Sequence, residues 1–239
     1  MISTDITVGQ IVAKDIRKAE VFKQLGIDFC CGGKKTVKQA CEEVGITQDQ
    51  LADALKNFDT TTRNKAEHDF NAWDLDFLAD YIVNIHHKYV RENAKTIVEL
   101  AQKVAKRHGD QHRELVHLAV GVQQCLGDLL SHLEKEEKAL FPYVKELVTK
   151  KKQGVPFNAR FSVASPVQAM ETEHEQTGEE FHAFRELTNN YTLPANACTS
   201  YAFLFSKLQE FEADLLRHIH LENNILFPKA LALEQELAT

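Results

Sequence analysis

Only 10 glycines and 5 prolines punctuate the 239 residues. With Leu, Ala, Glu and Lys plentiful, that scarcity points to a mostly helical protein. No apolar run approaches the roughly 18 residues that a membrane-spanning helix needs. A basic excess is missing as well: the net charge is −7, which speaks against nucleic acid or an anionic membrane as partner. The amino terminus, MISTDITVGQIVAKDI, lacks the basic residues and apolar stretch of a secretion signal. Five cysteines, an odd number, fit a reducing compartment better than a disulfide framework. The expectation is a cytoplasmic protein.

What is present is ordinary core material, 44% apolar and 26% charged residues. Residues 1–58 read as short helices. Asp15 can cap IRKAEVFKQL, which stops at Gly26, and Thr36 can cap VKQACEEV, which stops at Gly45. TQDQLADALKNF makes one more helix, and the polar stretch across 59–73 reads as a linker. From there to residue 239 the pattern predicts long amphipathic helices near 74–107, 110–150, 164–190 and 196–235, broken at Gly109, KKKQGVPFNARFS and NNYTLPAN. The expected fold class is all-α: a small helical domain followed by an up-down-up-down four-helix bundle over 74–239.

The second and fourth long helices carry one signature twice. HLEKEEKALFP and HIHLENNILFP both place Glu four residues after His and end in Leu-Phe-Pro. His132, Glu136 and Pro142 thus match His218, Glu222 and Pro228. His87 lies 45 residues before His132, and His174 lies 44 before His218. The pattern is an internally duplicated helical hairpin, with His on one helix and His-x3-Glu on the other.

Residues four apart share a helix face. His132 and Glu136 are set among Leu126, Leu129, Leu133 and Leu140, and His218 and Glu222 among Phe211, Leu215, Ile219 and Leu226. Amphipathic packing therefore drives four His and two Glu toward the bundle interior. A buried, unneutralised carboxylate costs several kcal/mol, which two cations would offset. Imidazole and carboxylate without thiolate favour iron or manganese over a closed zinc site. A ferritin-like arrangement is excluded. Its Glu-x-x-His pattern recurs at Glu114/His117 and Glu171/His174, but His117 sits fifteen residues before His132, roughly 22 Å along the axis. His86, beside His87, is expected to have no metal role. His68, His108, His112, His117, His182 and His220 are expected to be solvated or locally hydrogen-bonded, with Glu173 supporting a ligand from outside.

The stretch GIDFCCGGKKT places Cys30 and Cys31 side by side. Adjacent Cα atoms lie about 3.8 Å apart, below the usual disulfide range, so a bond between them would be strained. Gly32 and Gly33 are expected to keep the loop open. Lys34, Lys35 and the next helix N-terminus are expected to lower a thiol pKa and give a reactive dithiol. Small buried apolar side chains are the other reading of the pair.

On these motifs, residues 74–235 resemble the hemerythrin-like di-iron bundle, without the fifth His of the oxygen carriers. Residues 1–58, with DFCCGG, resemble the amino-terminal domain of the repair-of-iron-centres proteins. The resemblance implies a protein that restores iron-sulfur clusters after nitrosative or oxidative damage by donating iron to client proteins. It implies two iron ions held by His87, His132, Glu136, His174, His218 and Glu222, with both glutamates bridging beside an oxo or hydroxo group. Cys30 and Cys31 match the family's pair and would carry reactive chemistry. Redox catalysis on nitric oxide or nitrite, and sensing of oxygen or nitric oxide, are the alternatives. No nucleic acid or membrane partner is expected, and the chain would be a monomer or homodimer.

Overall fold

The computed structural model describes residues 6–61, 68–157 and 162–238. The chain is all-α: among the described residues the one extended pairing is an isolated antiparallel bridge between Thr7 and Thr36. No helix among them is long and apolar enough to cross a membrane. Cα packing groups the residues along a line that differs from the expected division at 58 and 74. One unit comprises residues 1–79, 144–163 and 217–239, the other 80–143 and 164–216.

In the first unit, α1 (Val8–Lys14), α2 (Ala19–Gln24), α3 (Val37–Val44) and α4 (Gln48–Thr61) form the amino-terminal part. Three of the four start the same way. Thr7 with Gln10, Thr36 with Gln39 and Thr47 with Gln50 each exchange side-chain and backbone hydrogen bonds, satisfying donors that a helix start leaves open. Asp15 caps the turn that leads into α2 by accepting from the Arg17 amide, and the Arg17 guanidinium holds its carboxyl below the usual range. Val8, Val12, Phe22, Phe29, Val37, Leu51 and Leu55 are buried. Where the sequence reading has a linker, residues 62–67 lie outside the described residues. Beyond them Phe70 is buried and meets the Trp73 ring edge-on at 4.7 Å. The expected loop after residue 150 is likewise described only in part. At its edges the Phe157 amide donates to the Leu237 carbonyl, and Ser162 and Val163 donate to Glu234.

The long helices fall where expected, to within a few residues. They comprise α5 (Leu75–Ile82) with α6 (Lys88–His108), α7 (Glu114–Lys135) with α8 (Phe141–Gln153), α9 (Ala164–Leu187), and α10 (Thr199–Leu221) with α11 (Phe227–Leu237). Within the second unit their sides meet in a closed ring. Gln102 on α6 donates to Gln123 on α7. Phe184 on α9 lies so close over Gly121 of α7 that a Cβ there would meet Cε1 at 2.7 Å. Phe181 on α9 stacks on Phe211 of α10 at 5.9 Å. Tyr89 on α6 closes the circle by packing on Phe211 and donating to Glu210. The buried faces follow the helical period: Leu115, Leu118, Val122, Leu126, Leu129 and Leu133 on α7, and Ala94, Ile97, Ala101 and Val104 on α6. After α9 the chain turns through Asn189, Asn190 and Tyr191, all at positive φ. Asparagine tolerates that region, and Tyr191 is held there by packing its buried ring on Phe205.

Three of the four long helices are interrupted by one π turn: Val83–His87, Glu136–Leu140 and Glu222–Leu226. Two of these have a visible cause. Pro142 and Pro228 follow directly, each as the second residue of the next helix. Proline has no N–H for the carbonyl four residues back and its ring collides with it, and a wider turn relieves both. No proline follows the first π turn.

Phe211 is buried between Phe181 and Tyr89. Phe211→Ala should therefore lower stability by about 3–5 kcal/mol, seen as a reduced urea midpoint with an unchanged slope.

Candidate metal centre

The end of α7 shows how the sequence builds the site. His132 and Glu136 are one helical turn apart and share the inner face, and the π turn begins at Glu136. Glu136 is fully buried. Its carboxylate faces three imidazoles: Nε2 of His87 and of His132 at 3.4 Å each, and Nε2 of His174 at 4.0 Å. The Nε2 atoms of His132 and His174 are 2.9 Å apart. These four residues belong to one unit and to three different helices.

The outward nitrogens of two rings are held in matching ways. His87 Nδ1 lies 2.7 Å from Glu137 Oε1, which also accepts from Arg91. His132 Nδ1 lies 2.8 Å from Glu173 Oε2, whose other oxygen accepts from Lys135. Burial raises the pKa of both outer carboxyls. The hydrogen bonds from Arg91 and His87, and from Lys135 and His132, outweigh it and hold them below the ordinary value. A carboxylate can only accept, so Nδ1 carries the proton in each neutral ring. The Nε2 lone pair is thereby turned inward, toward Glu136.

That arrangement tests whether a metal fits. Lone pairs of His87 and His132 aimed at a buried carboxylate place acceptor against acceptor, which a cation resolves. Outer carboxylates that fix the tautomer are the usual support of metal-ligating imidazoles. The donors are nitrogen and oxygen with no thiolate, a set suited to iron or manganese. The residues fit such an ion.

The other repeat is described within its own unit. His218 Nε2 lies 2.9 Å from Glu222 Oε1, and both side chains are fully buried. Glu222 opens the third π turn as Glu136 opens the second. His86 turns away from its neighbour, with Nδ1 2.9 Å from Asp214 and its ring edge-on to Tyr81. His220 departs from the expectation of a solvated or merely local histidine. It is completely buried, with Nδ1 against the Phe29 carbonyl, and burial pushes its pKa down to about 4. The sequence reading also missed Glu137. Its signal was the doubled acid Glu136-Glu137, whose second member lies 100° around the helix.

The dithiol loop corrects a second expectation. Cys30 is 2% exposed, and its thiol is pushed well above the usual range by its hydrogen bond with Cys31, by burial and by Asp28. Asp28 receives the amides of Cys30, Cys31 and Gly32 and lies 3.2 Å from Cys30 Sγ. Lys35 is engaged with Glu43 instead, and Thr36 caps α3 itself. The two sulfurs are 3.9 Å apart and unbonded. Nor are the glycines an open hinge: Gly32 and Gly33 are buried in a 3₁₀ turn, Cys31–Lys34. The thiol held below its ordinary value is Cys198, where backbone amides of Tyr201 and Ser200 and the Arg107 charge favour the thiolate and His108 lies at 3.1 Å.

Comparisons with known proteins agree with this chemistry. Residues 78–230 match the model of the hemerythrin HHE cation binding domain, and residues 4–59 match a domain of unknown function, DUF542. A probable iron-sulfur cluster repair protein of Haemophilus influenzae is 34% identical over 216 residues, covering 89% of this chain and 90% of the relative. The iron-sulfur cluster repair protein YtfE of Yersinia pseudotuberculosis is 32% identical over 225 residues, covering 94% and 96%. The YtfE protein of Yersinia pestis is similar to the same degree, 32% over 225 residues.

Glu173→Gln removes the negative charge that holds the His132 Nδ1 proton outward and offers an amide that can donate as well as accept. It should weaken ferrous-iron binding roughly 10- to 100-fold in an equilibrium titration while leaving the circular dichroism spectrum unchanged.

Proposed function

Because the chain belongs to the family of iron-sulfur cluster repair proteins with a hemerythrin HHE domain, we propose that it is a cytoplasmic di-iron protein. In this reading it repairs iron-sulfur clusters damaged by nitrosative or oxidative stress, by donating iron to client proteins. The observation that carries the reading is the buried Glu136 carboxylate facing three imidazole nitrogens.

His87, His132, Glu136, His174, His218 and Glu222 would hold the two irons, the imidazoles as neutral nitrogen donors and the two carboxylates as the anionic ones. The internal repeat supports the set, since it equates His132 and Glu136 with His218 and Glu222. When bound, the metal pair supplies a redox-active, Lewis-acidic centre. The chain's own part is to exclude water and to fix tautomers: Glu137 and Glu173 keep the Nδ1 protons outward. Iron that leaves the site is cargo. A His and carboxylate set holds ferrous iron less tightly than a thiolate cage would, which suits release to a client.

A second reading, redox catalysis on a small nitrogen or oxygen species, has one observation in its favour. A polar cavity of about 190 Å³ lies against His132, lined also by Asp128, Ser131, Lys135 and Glu173. Turnover of nitric oxide by the reduced protein would support it, and a single stoichiometric adduct would exclude it.

Protein loaded with isotopically labelled iron and mixed with a nitric-oxide-damaged client should pass label to the client and restore its cluster. A cluster that stays broken with all label retained overturns donation. Glu136→Ala should lower bound iron below one ion per chain by elemental analysis.

A further inference from the structure

The helix that carries His218 and Glu222 has a second pair at the same spacing, His220 and Asn224. A two-residue offset is about 200° around the axis, so the two pairs occupy opposite faces. His220 and Asn224 are turned to the dithiol loop, within the same unit. Asn224 Nδ2 donates to the Cys30 carbonyl at 3.1 Å and lies 3.5 Å from that of Phe29. It also lies 3.2 Å from His220 Nδ1, and the His220 ring packs on Phe29 at 6.0 Å.

The seat for Asn224 is built by absence of side chain. A Cβ on Gly9 or on Gly33 would collide with the Asn224 amide. The second glycine of CCGG is therefore needed where it stands, to admit this side chain. Asn224 itself lies inside the π turn that Glu222 opens, and its carbonyl is the one that Pro228 cannot serve.

The first repeat shows what these positions look like without a loop against them. Glu134 and Lys138 correspond to His220 and Asn224. They form an i,i+4 ion pair with side chains 61% and 74% exposed, an arrangement that contributes little. The two copies share their inner His and Glu and differ on this outer face, where one pair is solvated and the other, His220 buried and Asn224 half-buried, packs against Phe29 and Cys30.

We propose that Asn224 is a positioning residue tying the Cys30 loop to the turn of Glu222, so that metal held by Glu222 keeps the loop closed over Cys30. The proposal rests on the reading that Glu222 is a metal ligand. Metal fixes the Glu222 carboxylate and with it the π turn. Asn224, two residues on, then holds the Phe29 and Cys30 carbonyls in place and keeps Cys30 buried. Loss of metal frees the turn, and the loop opens to present its thiols.

The test is peptide-resolved alkylation of Cys30 by iodoacetamide, in full-length protein with and without ferrous iron, normalised to Cys198 in the same sample. Bound iron is measured in parallel. Wild type should alkylate Cys30 at least tenfold more slowly when loaded. Asn224→Ala should raise the rate in both forms and bring them within twofold of each other. Asn224→Asp keeps the size that fits Gly9 and Gly33 but removes the donor, so it should behave likewise even if the alanine variant folds poorly. Lys138→Ala, in the other repeat's π turn, should preserve the tenfold difference. Equal rates in loaded and metal-free wild type, with iron bound, overturn the proposal, as does a difference that survives in Asn224→Asp. A chain that takes up no iron overturns the metal reading instead. The tie itself is then judged by whether the Asn224 variants speed Cys30 alkylation in metal-free protein.

Discussion

A carboxylate buried against imidazole lone pairs is the constraint around which the second unit is organised. Glu136 is fully enclosed, and an isolated ionised carboxylate in such a place is strongly disfavoured. Glu137 and Glu173 draw the ring protons of His87 and His132 outward, so the Nε2 lone pairs of both rings face Glu136. The outer layer thus maintains the inner need. Arg91 and Lys135 complete the design by neutralising the outer carboxylates at the surface. The charge pattern runs from basic rim to acidic support to neutral imidazole to buried acid.

The thiols obey a different rule. Cys30 sits over Asp28, which takes three backbone amides of its own loop. Hydrogen bonding with Cys31, burial and this nearby acid all favour the protonated thiol. In the geometry described, Cys30 is held as the thiol. The hard nitrogen and oxygen donors and the soft sulfur donors are assigned to separate places in the chain, so each can be suited to its own ligand.

The helical architecture was legible in the sequence because amphipathic faces repeat with the helical period. Leu115 to Leu133 on α7 mark the buried side without ambiguity. The inner His and Glu were legible because the duplication wrote them twice. The choice of His87 over His86 rested on a repeat offset, and the structure turns His87 to Glu136 and His86 to Asp214. What stayed hidden has physical reasons. A π turn changes the hydrogen-bond register without changing composition, and the paired Leu-Phe-Pro endings were read as repeat markers rather than as causes. His220 looked solvated because periodicity within one helix says nothing about what covers its outer face. Nearness in sequence does not bring Lys35 to the thiols, since it pairs with Glu43, whereas Asp28, two residues before Cys30, receives the amides of the loop.

The π turns also follow the repeat. Each accommodates one more residue than an α-helical turn of the same rise, so it amounts to a single-residue insertion. Two of them begin at the repeated glutamate and end at the repeated leucine, Glu136–Leu140 and Glu222–Leu226. The wider turn and the proline after it are therefore part of the repeated pattern. The turn at Val83–His87 has no counterpart in α9, so the first helices of the two copies differ in backbone as well as in sequence.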